Sequence, residues 1–483
     1  MAASDTIQGD VVVSNSLQLA MLSGVKTITG DLSFNPWPEL TSLSLPSLQR
    51  VGSFSVSAYA LTSVSLPALT TVDNDLSVED DNDVLATLDF GALTAVGGSF
   101  DLYGLQLASP TAFSHLATIG GDVSISSTAF TTLAPLAGAF AGLSATSSVA
   151  VYYNDSLVDV SALGSLKSVV NFTFTGNAAT KLELTSLTST NLFNVAQNAF
   201  SSFAADALTT VTGEFFLANN GALTTASLTK LASVASFRVY GDTSMKSLSI
   251  PALATVNGDF VFTGNGLPSL AANALTTVTG NIGIHDSSDG DTSALASVSF
   301  QKLATIGSLS IANEPKLASA LSLPLLASVT NGIQVTNTAI PSFAADAVTS
   351  FGDTTYLESN GALTSVSFAK LASTQYLGFQ SNTALASVAL PKLATVSSEL
   401  HFDSNAVTSL SFPALTSVTG SLSITSNNSL TTLVTPTLPI TVGGYLQIQS
   451  NSVLPECQAD AFDQHVTASY NVLGSNGGTG LCN

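Results

Sequence analysis

The sequence predicts a mainly-β protein, a single elongated right-handed β-solenoid of about twenty coils of ~21 to 28 residues with a disulfide-closed C-terminal cap. Three observations predict it. A short motif recurs along almost the whole chain, as LTSVSLPALTTV from Leu61, LSIPALATVNGDFVFTGN from Leu248 and VTSLSFPALTSVTGSLSITSNN from Val407. Within each copy, polar and apolar residues alternate in short runs that proline, glycine and asparagine punctuate, which is the pattern of strands and turns. The only two cysteines, Cys457 and Cys482, both fall in the last coil. A single copy with this period cannot bury its apolar side chains alone and must stack on its neighbours.

Three regions follow along the chain: N-terminal coils or a cap over 1–39, solenoid repeats over 40–453, and a C-terminal cap over 454–483. Trp37, held between Pro36 and Pro38, either covers the first coil or anchors a partner. The coil Val407–Ser429 shows how a repeat is built. Ser409 to Phe412 alternates as a strand, and Pro413 ends it because proline has no N–H to give a ladder. Leu415 and Val418 follow on a short turn. Gly420 permits a corner where φ can be positive, and Leu422 and Ile424 alternate again as a second strand. Gly98, Gly213, Gly258, Gly280 and Gly307 form the same column.

An asparagine closes the coil at Asn177, Asn219, Asn265, Asn313, Asn337, Asn360, Asn382, Asn405, Asn427 and Asn451. At such a corner a side-chain amide can bond the turn backbone of its own coil and of the next one. Stacked asparagines then form a ladder that satisfies buried backbone groups; a ligand-binding amide row is the alternative. A longer period overlies the short one across 200–406. SSFAADALTTVTG from Ser201 returns as PSLAANALTTVTG from Pro268 and PSFAADAVTSFGD from Pro341. Each is followed by a lysine corner, at Lys230, Lys302 and Lys370, so the duplicated block is about three coils. Those lysines form either an interaction stripe or scattered solubilising charge.

In the last coil, LPECQADAFDQHV has helical spacing and reads as a short capping helix. A Cys457–Cys482 disulfide would close a loop of ~25 residues and stabilise by about 3 kcal/mol through the unfolded state.

The motif, as in LASVALPKLATVSSELHFDSN from Leu385 to Asn405, resembles the receptor L-domain group of leucine-rich-repeat-like folds. It is most similar in pattern to fungal cell-wall proteins of the sporulation and wall-integrity type and to bacterial surface repeats. That copy departs from the motif at Ser398, where glycine is usual. The resemblance covers about Thr27 to Ser452 and implies ligand-binding or wall-associated roles rather than catalysis.

Composition bounds the function. Charged residues make up 9% of the chain, against about 25% in ordinary domains. There are 32 acidic and 11 basic residues, for a formal net charge of -21. Nucleic-acid binding needs clusters of Lys and Arg to displace counterions, and the sequence has none. The same deficit argues against anionic membranes, and no apolar run reaches the ~18 residues of a membrane span. Serine and threonine richness, few lysines and the cysteine pair imply an extracellular, cell-surface or cell-wall protein whose signal peptide has been removed.

Two acidic clusters are candidate calcium loops, Asp80, Asp81 and Asp83 in the first and Asp286, Asp289 and Asp291 in the second. Calcium takes six to eight oxygen ligands from flexible loops; neither cluster matches a known calcium motif, and a solvated loop is the plainer reading. No other cofactor is expected. The four histidines lie too far apart in sequence for a zinc site. Asn154, Asn171 and Asn427 sit in glycosylation sequons. No grouped acids stand as a glycosidase pair and no nucleophile elbow occurs, so an enzyme is not expected. An ice-binding rod would need a regular threonine array, and the threonines here alternate with serine and alanine. Two functions remain. One is adhesion, ligand binding or envelope structure, with a protein or glycan partner met by outward tyrosines such as Tyr59, Tyr103, Tyr152, Tyr153, Tyr240, Tyr356 and Tyr376. The other is a self-assembling subunit of a fibre or coat.

Overall fold

A computed structural model describes residues 5–35, 37–57, 60–82, 84–286 and 293–478. The contacts divide the chain into two units, 1–234 and 235–483, and each is a parallel β-solenoid. In the first unit the main ladder runs coil by coil through Val11–Val13, Thr27–Phe34, Arg50–Ser57, Leu76–Glu79, Phe100–Tyr103, Val123–Ser126, Val149–Tyr152, Asn171–Thr175, Leu192–Ala196 and Thr210–Ala218. In the second unit it runs through Phe260–Thr263, Thr277–His285, Thr305–Glu314, Ile333–Thr338, Thr354–Glu358, Tyr376–Gln380, Leu400–Asp403, Leu422–Thr425, Ile440–Gln449 and Val466–Gly474.

Each regular coil carries three short strands, one more than the sequence suggests. In the coil Val407–Ser429, Ser409–Leu410 pairs with Thr432–Leu433, Ser417–Val418 with Thr395–Val396 and Thr441–Val442, and Leu422–Thr425 with both neighbours. The extra strand is only two residues long, too short for an alternation to register. In the first unit, helical turns at Thr111–Phe113, Ala134–Leu136, Ala137–Ala141 and Ser161–Ser165 stand where neighbouring coils carry the strand before the proline.

The glycine column has a different cause from the one expected. Gly420 and its equivalents are not among the positive-φ residues. Glycine is needed there because backbones approach closely: a Cβ on Gly420 would lie 2.7 Å from Ser398 O, and one on Gly280 2.7 Å from the Gly258 carbonyl carbon. Positive φ occurs instead at the far end of the main strand, at Ser359, Ser381, Ser404, Ser426 and Ser450.

The core is a file of like residues. Inward side chains of successive coils stack at the strand spacing of ~4.8 Å, so aromatic rings at equivalent strand positions lie nearly parallel, while others meet edge to face. Phe193 packs on Phe172 with centroids 5.3 Å apart and on Phe215 at 4.9 Å and 5°; all three are fully buried. In the second unit Phe379 and Phe402 repeat this at 5.0 Å.

The N-terminal segment, expected as coils or a cap, forms coils, and at the other end a coil continues past 453. Thr6–Ile7 and Val11–Val13 pair with Thr27–Phe34, ahead of a helix over Ser16–Met21 whose N-terminus is capped by Asn15. The helix Glu456–Asp463 forms where helical spacing suggests one, with Ala459 and Phe462 buried. It does not end the repeat: Val466–Gly474 completes another coil against Ile440–Gln449. Its sequence lacks the leucine motif that marks the repeats up to 453, so the sequence places the cap from 454. Cys482 lies outside the described residues, so its pairing with Cys457 stays an expectation.

Phe193→Ala removes the middle ring of a dry stack. It should destabilise the first unit by about 3–5 kcal/mol, read as a lowered urea midpoint.

Candidate functional site

The asparagine row is an internal ladder. In the second unit Asn360, Asn382, Asn405, Asn427 and Asn451 are buried. Each backbone N–H donates to Oδ1 of the asparagine in the next coil, at 3.1, 3.2, 3.1, 2.9 and 3.2 Å, the last to Asn476. Each Nδ2 donates backwards to a strand carbonyl of the preceding coil, as Asn382 to Leu357 O at 2.8 Å. It also donates forwards to the same Oδ1, as Asn382 to Asn405 at 3.2 Å. Asn265 sits in the same column, accepting from Asp242 N at 3.0 Å and donating to Val239 O at 2.9 Å. In the first unit the ladder is Asn154, Asn177, Asn198 and Asn220. Asn219, Asn313 and Asn337 are not rungs: they stand one residue earlier, at positive φ. The rungs there are Asn220, Glu314 and Thr338, and only the backbone reveals that one-residue offset. Because these amides are consumed inside the solenoid, they offer a ligand nothing.

The sequons divide accordingly. Asn154 and Asn427 are fully buried with Nδ2 spent in the ladder, so neither can carry a glycan in the folded chain. Asn171 is half-buried at the surface, donating to Ser148 Oγ at 3.3 Å.

The ladder changes character beside the second acidic cluster. Glu314 occupies a rung, 3% exposed, and Ser293 Oγ donates to its Oε2. The Ser293 N–H donates to Asp286 Oδ2 at 3.0 Å, and Lys316 Nζ donates to Ser293 O at 2.9 Å. A small cavity lined by Phe262, Asn265, His285, Ser293, Leu295 and Glu314 adjoins the group. Burial pushes the Glu314 carboxyl up to about 7, with the Asp286 charge adding to it and the Ser293 hydrogen bond opposing. Burial also holds His285 below its ordinary value. Asp289 and Asp291 lie outside the described residues.

In the first acidic cluster Asp80 is buried, and its carboxylate accepts the backbone N–H groups of Asn82, Val84 and Leu85 at 3.3, 3.3 and 2.8 Å. It closes a loop. Asp81 is exposed and Asp83 lies outside the described residues. Among the described residues no three His, Cys, Asp or Glu side chains converge as a metal site would need.

Basic groups are sparse, and several are paired. Arg50 Nε lies 2.9 Å from Asp73, Arg238 3.3 Å from Asp259, and Lys26 3.2 Å from Asp5. Exposed pairs of this kind contribute little to stability. Threonine hydroxyls at the corners, including Thr209, Thr224 and Thr276, donate to carbonyls of the preceding coil at 2.8 to 3.0 Å and so staple coils together.

The outward positions of the main strands differ between the units. In the first they are mostly small, as at Ser55, Ser77, Ser124, Ala150 and Thr173. Tyr152 and Tyr153 meet there edge to face at 5.7 Å, and Tyr59 lies outside the described residues. In the second unit Gln334, Tyr356, Gly378 and His401 succeed one another in register. Tyr376 stacks on His401 with centroids 5.5 Å apart and an angle of 24°. Sequence order hides this meeting, since the two are 25 residues apart and the tyrosine is offset from the row. An open groove lined by Asn281, Ser308, Ser310, Asn331, Gln334, Asp353 and Thr354 adjoins them.

No family model matches the chain, and no curated protein sequence does. Among solved structures it is similar to a crystal structure of a TLR13-ssRNA13 complex, at 13% identity over 97% of this chain and 84% of that one, with a TM-score of 0.23. So loose a superposition carries no argument about what this chain binds.

Three outcomes are expected. Asn382→Ala strands the Asn360 N–H and the Leu357 carbonyl, so the urea midpoint should fall by an equivalent of roughly 3 kcal/mol. Asn428→Ala, at the exposed neighbour of a rung, should stay within about 0.5 kcal/mol. Glu314 is protonated in the fold up to about 7 but in the unfolded chain only up to 4.5. Its stabilising contribution is therefore complete below 4.5 and is lost as pH rises to 7 and beyond, by at most about 3 kcal/mol. Comparing urea midpoints of the wild type and Glu314→Gln at pH 5 and pH 8 checks this: the wild type should lose more stability than the variant.

Proposed function

We propose that this chain is a non-enzymatic extracellular or cell-surface solenoid of the receptor L-domain type that works in adhesion, ligand binding or envelope structure. The observation that carries the reading is the outward row of the second unit. Its side chains are amide, phenol and imidazole groups, held at strand spacing by a scaffold whose interior needs none of them. The motif resemblance and the scarcity of charge support the same reading. The first acidic cluster fits a supporting role, since Asp80 is committed to its own backbone.

A second reading, assembly into a fibre or coat, draws on Val466–Gly474. Among the described residues this nine-residue strand pairs only with Ile440–Gln449, and a long strand can template pairing with another chain.

Antibody raised against the purified chain should label intact source cells without permeabilisation, and fluorescent chain should rebind to those cells saturably. Labelling only after permeabilisation would overturn the surface reading. Negative-stain microscopy separates the two: isolated particles favour binding, and end-to-end or lateral arrays favour assembly.

A further inference from the structure

We infer that the outward face around Tyr356, Tyr376 and His401, with the groove beside it, binds a neutral glycan; this rests on the surface-binding reading above.

The first reason is preorganisation. Gly378 stands in the outward row where neighbouring strands carry Tyr356 and His401. The missing side chain opens a niche, and Tyr376 lies over it: a Cβ on Gly378 would sit 2.8 Å from Tyr376 Cε1 and 2.9 Å from its Oη. Tyr376 then stacks on His401, whose Nε2 meets Glu399 Oε2 at 2.8 Å. Gln380 Nε2 donates to Tyr376 Oη at 3.1 Å, and Tyr356 Oη donates to Gln334 Oε1 at 3.3 Å. The inward neighbours Leu377 and Phe379 are wholly buried on the other face of the strand. The outward side chains thus hold one another, and groups fixed before binding lose little entropy on it.

The second reason is chemistry. A sugar ring presents apolar C–H groups and a rim of hydroxyls that both donate and accept. Aromatic rings with a polar tip match the first, and amides and hydroxyls match the second. Gln334 joins the row to the groove, so one extended ligand can meet both.

The third reason is charge. The strands Ile333–Thr338, Thr354–Glu358, Tyr376–Gln380 and Leu400–Asp403 carry no Lys or Arg, whereas Glu358 and Asp403 lie on them and Asp353 and Glu399 beside them. A polyanion, whether an acidic polysaccharide or a nucleic acid, is repelled. A basic peptide is served poorly, since Glu399 is engaged by His401, and Asp403 by Ser404 and Thr425. A neutral polyol fits the set.

Affinity electrophoresis of the full chain tests this, with a soluble neutral β-glucan, a neutral mannan or anionic alginate in the gel, and fluorescence titration with a lysine-rich peptide alongside. The expected result is retardation by at least one neutral glycan and none by alginate. Tyr376→Ala and Gly378→Ala should each weaken that retardation by about tenfold or more. Gly378→Ala is the sharper variant, because it removes no polar group and displaces only the end of a flexible side chain. Thermal melts within a few degrees of the wild type show that both variants fold. The inference is overturned by no retardation in either neutral glycan, by variants that keep wild-type retardation, or by binding of the basic peptide in place of glycan. If the variants lose glycan binding but still rebind cells, the glycan site stands as one of several contacts. If cells are never labelled while glycan binding persists, the surface reading alone fails.

Discussion

The asparagine ladder is the interaction on which the rest of this structure depends. To turn out of each main strand the backbone takes a positive φ at residues such as Ser381, Ser404 and Ser426, a conformation that costs roughly 1 kcal/mol or more per non-glycine residue. The next residue offsets that cost. Its side chain accepts from the preceding coil's rung and donates both to that coil's strand carbonyl and to the following rung. A coil is thereby pinned on both sides at one depth. A slip of one residue would turn every inward leucine and phenylalanine outward, so the register of the phenylalanine stack and of the outward row is set at this corner.

Much of this was legible in the sequence, because a stacked coil must repeat its inward residues to stay dry. The period, the alternation around Leu422 and Ile424 and the rungs from Asn360 to Asn451 all follow from that requirement. What was not legible depends on backbone geometry. Asn219 and Asn220 look interchangeable in a string of letters, but only one has the φ that aims its amide inward. Gly420 looks like a turn glycine, and its reason is the carbonyl of Ser398 in the preceding coil. The coil closed by Val466–Gly474 was hidden because its inward side chains keep no leucine spacing.

The departures from the repeat are of two physical kinds. At Glu314 the departure is internal. A carboxyl can accept but, once ionised, cannot donate as the asparagine Nδ2 does, so Ser293 and Asp286 rebuild the hydrogen bonding around it and burial keeps the proton on the acid near neutrality. At Gly378 the departure is external. The inward alternation through Leu377 and Phe379 is untouched, and the lost side chain alters only what the surface presents.

That distinction bears on where function resides in a repeat of this kind. Inward positions and rungs are held by packing and by hydrogen bonds that cannot be left unmade, so most of them are alike in both units, with Glu314 and Thr338 as exceptions among the rungs. Outward positions are free to differ, and they do: serine and alanine across much of the first unit, glutamine, tyrosine and histidine across part of the second. A row of planar polar side chains at strand spacing is costly in conformational entropy unless something holds it. Here the stacking of Tyr376 on His401 and the hydrogen bonds of Gln380 and Glu399 hold it, although the fold does not require any of them. Cross-strand pairs on an outward face steady their own strands, and here they also fix the groups that the surface presents.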